Sequence, residues 1–399
     1  GRNSLLRVGV AGANQPPDGG NAPSLLIDGT VTEQGQSNAT LLRTGVRIGD
    51  NGTKLVALGG AGIDITGTVD APGVNYGILL GTGAVEIDAS AGSSLRLTSG
   101  NDMWLSGRIQ APPSGALSLV AAGDMFIDDA LIDGTPATVS LSARTLGIGT
   151  AGDADTQLTF SSDALVSVQA QTFLFGLQEE GFDTGGNFDG GNLRTGGGLS
   201  ARKQALGIQR PLQDADLPAL PAQTVLATGG RLEIAADTVV LGVDNVLYAG
   251  ATGEALRITG ASTGSPVLNF LHLGEGSALV TPNGRWQVEV ANSRDTEGGT
   301  FQPGSLRADF WQYGATPGST APAAPGNGFL FAAAPVLGLR SLGESSPLSK
   351  PYDGSDSVNL ASLNLAVSGL AQGQTLVGDL KLQDRNAGEA KSLVPAHGA

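Results

Sequence analysis

Two short motifs in this chain carry residue types that perform chemistry in other settings. "GASTG", residues 260–264, fits the G-x-S-x-G pattern that lifts a serine nucleophile onto a sharp turn. That chemistry needs a strand before the serine, a helix after it and a histidine base. Ser262 is followed by Pro266 and the strand-like run "VLNFLHL". His272, one of 2 histidines, falls inside that alternating apolar run and reads as a wall residue. "GIGTAG", residues 147–152, fits the dinucleotide pattern G-x-G-x-x-G, whose mechanism requires a following helix with its N-terminus at the pyrophosphate. "DADTQLTFSS" follows and is not helical.

Carboxylates give a weaker signal. Asp128 with Asp129, and Asp153 with Asp155, suit calcium at a turn, but a solvated turn is the simpler reading. "GGNFDGGNL", residues 185–193, has Phe188 where the calcium nonapeptide needs glycine, and it has no tandem copies. Asn38 in "NAT" and Asn51 in "NGT" are glycosylation sequons, informative only in a secretory eukaryotic setting. No catalytic, cofactor-binding or metal-ligating residue is assigned, no cofactor is expected, and the chain reads as a non-enzyme.

The elements that would position such residues are more informative. "NDMWLSGRIQAP" and "GDMFIDDALIDG" lie 22 residues apart, placing Met103 over Met125, Trp104 over Phe126, Leu105 over Ile127 and Ile109 over Leu131. Leu95 and Leu97 map onto Leu117 and Leu119, then Val139 and Leu141, at the same spacing. Met125 and Ile127 continue into Leu146 and Ile148. Upstream, Ile63 and Ile65 fall 22 residues before Val85 and Ile87, which fall 18 before Met103 and Leu105. A wandering period of this size is the signature of a solenoid.

Within each unit, apolar residues alternate over a few positions before glycine, asparagine, aspartate or proline intervenes. Period-two alternation means a strand with one buried face. Residues 24–170 hold no helical period. Strands stacked on their own copies, about 4.8 Å apart, make a parallel β-helix. One coil cannot bury enough surface to fold alone, so neighbours must supply the ladder bonds. The position between each apolar pair reads Asp64, Glu86, Trp104, Phe126, and two carboxylates mark it as solvent-facing. Trp104 and Phe126 are therefore expected on the outer wall, the alternative being a local register shift that buries both rings.

Composition bounds what such a rod can do. The chain has 399 residues, Gly 62, Cys 0, and 15% charged residues. It is too apolar for disorder, and its glycine share implies many turns. The net charge of −15 repels phosphate backbones and anionic lipids, which argues against nucleic-acid and membrane-surface partners. No apolar run approaches the ~20 residues of a membrane span, so no membrane insertion is expected. Without cysteine there is neither a disulfide framework nor a thiolate metal site.

The pattern divides the chain. Residues 1–170 read as β-helix coils. Residues 171–222, with "EEGFDTGGNFDGGNLRTGGG" and the proline-rich "RPLQDADLPALPAQ", read as an excursion from the stack, mobile or binding. Residues 223–340 hold further coils and a closing segment, including the strand "GRWQVEV" and the loop "TPGSTAPAAPGNG". Residues 341–399 read as a linker and a small β module.

Several of these segments resemble the large exoproteins of Gram-negative two-partner secretion, the filamentous-haemagglutinin family. "GRWQVEVANSRDTEGGTF" (284–301) is similar to the segment that closes the helical part of such proteins. "FWQYGATPGSTAPAAPGNGFLFAAAP" (310–335) looks like its continuation. "KPYDGSDSVNL" (350–360) with "GDLKLQDRNAGEAKSL" (378–393) resembles the YDG-type repeat of haemagglutinin-like adhesins. In that repeat Tyr352, Asp353 and Gly354 open the module and Asp384 to Gly388 form its second hallmark. The family's asparagine-rich secretion domain is not among these residues, and the chain reads as a segment of a longer protein.

The resemblance implies a secreted adhesin at the cell surface of a Gram-negative bacterium, a virulence factor in cell adhesion. Its partners would be an outer-membrane transporter of the two-partner type during export and a host glycan or cell-surface receptor. The expected fold is all-β, a right-handed parallel β-helix of about eleven coils, roughly 50 Å long at about 4.8 Å per coil, with a partial small β module at the C-terminus. Two rival readings are a polysaccharide-cleaving β-helix enzyme and a passive spacer of a toxin-delivery exoprotein. The first needs clustered aspartates or a basic residue on one face of successive coils, and no such ladder is evident in the sequence.

Overall fold

The computed structural model describes residues 5–8, 25–32, 43–49, 52–71, 75–81, 85–151, 156–161, 163–178, 224–242, 245–273, 278–293, 300–333, 338–341, 351–358, 365–368, 380–388 and 393–395. Among them there is no helix. The expected excursion therefore lies largely outside the described residues, as do Asn38, Asn51, Asp153, Asp155 and residues 185–193. Its first residues are not part of it, because the strand Thr172–Gln178 continues the stack.

The chain is a parallel β-helix with three walls. The first wall is an 11-stranded sheet that begins Leu25–Thr32, Ile63–Asp70, Ser94–Ser99 and ends Gly284–Val290, Gly328–Phe331, Phe310–Tyr313. The other two walls belong to one 16-stranded sheet. They merge where the long strands Asp102–Ala111 and Met125–Gly134 run through the corner without a break. The second wall stacks Asn75–Leu80, Asp102–Leu105, Met125–Ile127, Thr145–Ala151, Thr172–Gln178, Thr238–Leu241 and Asn269–His272. The third stacks Lys54–Ala57, Glu86–Asp88, the later halves of the two long strands, Gln157–Phe160, Thr224–Thr228 and Asn245–Ala249.

Alternation decides which side chains enter the interior. Leu95, Leu117 and Val139 form one inward column, and Leu97, Leu119 and Leu141 form the next. Met103, Met125, Leu146 and Phe173 form a column of the second wall. Large rings enter in the later coils, where Phe160, Phe173, Phe175, Phe270, Phe329 and Phe331 are fully buried.

Three readings of register need correction. Ile63 and Ile65 stack on Leu95 and Leu97, not on Val85 and Ile87. Ile87 belongs to the third wall, between Leu55 and Ile109. Alternation repeats every two residues, so any even offset looks in phase and a longer coil passes unnoticed. Ile109 pairs with Ile132 rather than Leu131, because a bulge between Ile127 and Ala130 adds a residue. Gly107 takes φ +91 at the equivalent corner, where a Cβ would lie 2.8 Å from the Val85 carbonyl.

Side chains stitch the corners between coils. Asp102 Oδ1 accepts the Asp124 N–H at 2.8 Å, and Asp124 Oδ1 accepts the Thr145 N–H at 3.2 Å. Asn269 Oδ1 accepts the Thr300 N–H at 3.1 Å. The two aspartates thus accept backbone donors at the bends, while the Thr300 N–H is shared with the Leu268 carbonyl. The first and second walls approach closely at Gly67 and Gly77, where a Cβ on Gly67 would sit 1.9 Å from the Gly77 carbonyl oxygen. Backbone meets backbone there, and only glycine fits.

The stack closes unusually. Gly328–Phe331 pairs in parallel with both Gly284–Val290 and Phe310–Tyr313, so the later strand lies between two earlier ones. Trp311 packs on Phe329 and Phe331 at centroid distances of 5.4 and 5.2 Å, and Tyr313 stacks on Phe331 at 5.0 Å. Beyond this end the pairing turns antiparallel. Gly338–Ser341 pairs with Leu365–Ser368, and Leu380–Leu382 lies between Ser357–Val358 and Leu393–Pro395. In this small β module Asp353 Oδ1 accepts the Ser355 N–H and Asp384 Oδ1 accepts the Asn386 N–H, two matched aspartate turns.

Candidate functional site

A groove lies on the outer face of the first wall, lined by described residues. Outward columns build it: Glu233 stacks on Arg257, while Gln169, Ala235 and Thr259 form the neighbouring column. The turn 260–265 rises over one side and Gly318 closes another, enclosing about 340 Å³.

Arg257 and Glu289 form the floor. The Arg257 Nη2 and Nε both donate to Glu289 Oε1, at 2.6 and 3.1 Å. Glu289 Oε2 accepts the Gly318 N–H at 2.7 Å. Glu289 is buried, and a buried carboxylate persists only when paired and hydrogen-bonded. Arg231 contacts Glu233 at 3.1 Å and also donates to Glu254. Arg257 lies 3.8 Å from Glu254.

The rim is tied from three sides. Gln169 Nε2 donates to the Ala261 carbonyl at 2.6 Å, and the Ala261 N–H donates to Asp237 Oδ1 at 3.0 Å. Ser265 Oγ donates to the Ser262 carbonyl at 2.8 Å. Ser262 thus sits in a hydrogen-bonded turn, with Gly264 at φ +76. His272 is buried and its Nδ1 faces the Pro303 carbonyl at 3.3 Å. Burial lowers its pKa, against a smaller upward pull from that carbonyl. "GIGTAG" begins inside the strand Thr145–Ala151.

A second cluster, absent from the sequence-based expectations, climbs the outside of the third wall. Lys54 Nζ lies 2.7 Å from Glu86 and 3.6 Å from Asp88. Arg108 reaches Glu86 at 3.2 Å and Asp133 at 3.3 Å, and donates to Gln110 at 2.7 Å. Burial raises the Asp133 pKa; Arg108 opposes this, while Glu86 and Asp88 add to it. Burial also pushes Asp88 up, but hydrogen bonds from Ser90 to its carboxylate, together with the charges of Lys54 and Arg108, outweigh it, and Asp88 ends below its ordinary value. Successive coils thus do carry acid and base on one face. Their charges are spent on each other, and Asp133 is buried. Among the described residues no group of three or more His, Asp or Glu is placed to hold a metal ion.

Trp104 and Phe126 do face away from the interior, in register with each other, but they are not exposed. Their exposures are 9% and 3%, in a separate apolar cluster with Tyr76 and Leu79. The expectation fails because the carboxylates that orient that column in the sequence stand elsewhere. Asp64 lies opposite Arg96 in the first wall, and Glu86 lies between Lys54 and Arg108 in the third.

The groove residues have a readable signal. Glu233 in "LEI" and Arg257 in "LRI" each fall between two inward residues, so both are outward by parity. Their adjacency depends on coil length, which the alternation leaves open. Compared with models of known protein families, with curated proteins and with solved structures, the chain finds no match.

Proposed function

We propose that this chain is a structural and adhesive rod segment of a secreted surface protein of a Gram-negative bacterium, which attaches the cell to a host surface. The observation that carries this is the groove, a preformed concavity on the outside of a continuous stack. A rod of paired coils keeps such a site at a fixed height and orientation. The motifs at 284–301, 310–335 and 350–393, similar to those of haemagglutinin-like exoproteins, support the same reading and imply export through a two-partner transporter.

Beads coated with the 399-residue chain test it. They should adhere to epithelial cells, and soluble chain should displace them in a dose-dependent way. Adhesion no greater than that of albumin-coated beads defeats the proposal. The charged ladder on the third wall gives the enzymatic alternative its one specific support. Incubation with polygalacturonate and host glycans should release no reducing ends; their release would favour the enzyme.

A further inference from the structure

The carboxylates around the groove already lie against guanidinium groups. Glu289 is held by Arg257 and the Gly318 N–H, Glu233 by Arg231, and Glu254 by Arg231. An anionic ligand would compete with these carboxylates for the guanidinium groups, and drawing Arg257 away would leave the buried Glu289 uncompensated. A hydroxyl both donates and accepts, so it can bind without disturbing them. The groove offers it such partners in Thr259, Ser262 and Thr263 and the outer edge of Glu233.

The rim is also ordered in advance. Gln169, Asp237 and Ser265 fix the turn 260–265 before any ligand arrives, which reduces the ordering cost of binding. Its volume of about 340 Å³ lies at the small end of the range for ligand sites. The outward column that contains Glu233 runs on past the groove. Ser167, Ser140 and Ser118 continue the same outward column, one per coil, at about 4.8 Å. None of the three is buried. A line of hydroxyls along the axis suits an extended polymer of polar units.

We propose that the groove beside Arg257, with the serine column leading from it, binds an uncharged oligosaccharide chain laid along the rod. This rests on the adhesive reading and names the chemistry of its receptor. The −15 net charge of the chain disfavours sulfated or carboxylated glycans over neutral ones.

The test uses the full chain with uncharged hexasaccharides (chitin-, cellulose- and mannan-derived) and a heparin-derived hexasaccharide as the charged probe. Calorimetry should show at least one neutral hexasaccharide binding, and Thr263→Trp, which fills the groove from an exposed turn, should weaken it tenfold or more. Ser140→Trp, on the exposed column, should weaken a long neutral chain but not a disaccharide. No binding by any neutral probe, or binding unchanged in Thr263→Trp, overturns the site. So does heparin binding that Thr263→Trp abolishes. Bead adhesion separates the two proposals. Equal adhesion by wild type and Thr263→Trp, with neutral-probe binding also unchanged between them, keeps the adhesive reading and removes this site. Neutral-probe binding lost in Thr263→Trp, with no adhesion by wild type, keeps the site and removes the adhesive reading.

Discussion

Trp104 lies directly against Phe126, ring centroids 6.0 Å apart and tilted by 40°, on the side of the second wall that faces away from the interior. The pair gives the coil apolar packing on both faces of one sheet. Trp104→Ala should cost about 3–5 kcal/mol, the range for a buried ring. Urea denaturation of the variant measures it. A loss within about 0.5 kcal/mol, typical of an exposed position, would mean the rings lack the enclosure described.

In sequence, 45 residues (179–223) separate Thr172–Gln178 of the second wall from Thr224–Thr228 of the third. The equivalent strands of neighbouring coils, Thr145–Ala151 to Gln157–Phe160 and Thr238–Leu241 to Asn245–Ala249, are separated by only five and three residues. The ladders close across the insertion, since Thr172–Phe175 pairs with Thr238–Leu241 and Gln157–Phe160 with Thr224–Thr228. Replacing 179–223 by a link as short as the neighbours use should preserve the β circular dichroism spectrum and a cooperative melt. Loss of cooperativity would make the insertion part of the fold.

Asp124 holds Arg144 through two hydrogen bonds, at 2.9 and 2.7 Å, and accepts the Thr145 N–H. Asp124→Ala should cost about 1–3 kcal/mol by stranding a backbone donor. Asp124→Asn keeps an acceptor for Thr145 and should recover part of that loss. Equal losses in the two variants would assign the effect to the charge alone.

Burial raises Asp133, so the folded chain holds that proton more tightly than the unfolded one. Its contribution is fully present below the unfolded value of about 3.9 and is lost as pH rises through the folded value. Asp133→Asn removes this dependence. The melting temperature of the variant relative to wild type should therefore shift upward between about pH 4 and pH 7. A constant difference across that window would contradict the raised value.

His272 runs the other way. Burial holds its pKa below 6.5, so the unfolded chain takes up the proton first. Stability present above about 6.5 is lost as pH falls through the folded value. His272→Gln should weaken this acid sensitivity, read as the change in urea midpoint between about pH 7.5 and 5.5. In proton NMR the His272 imidazole should titrate below the ordinary histidine value.

Repeat, strand type and inward parity are legible in the sequence wherever coils keep the same length. Leu95, Leu117 and Val139 stack as their spacing implies. Where coil length changes, period two gives no phase information, and spacing alone puts Val85 in the wrong wall. Adjacency across coils needs exact lengths, so the Lys54–Glu86–Arg108 ladder and the groove at Arg257 are both hidden. The bulge after Ile127 carries no glycine or proline to announce it. Ile132 therefore takes the inward place that spacing assigns to Leu131.

The order of strands at the far end has a topological consequence. Because Gly328–Phe331 is threaded between Gly284–Val290 and Phe310–Tyr313, a chain growing from its N-terminus cannot seal this end turn by turn. Phe310–Tyr313 must wait as a loose flap until the strand that ends at Phe331 has been made and slid beneath it. Tension applied from the C-terminal side then meets a zipper fastened on two edges at once, so the rod should resist peeling there more than a simply stacked terminus would.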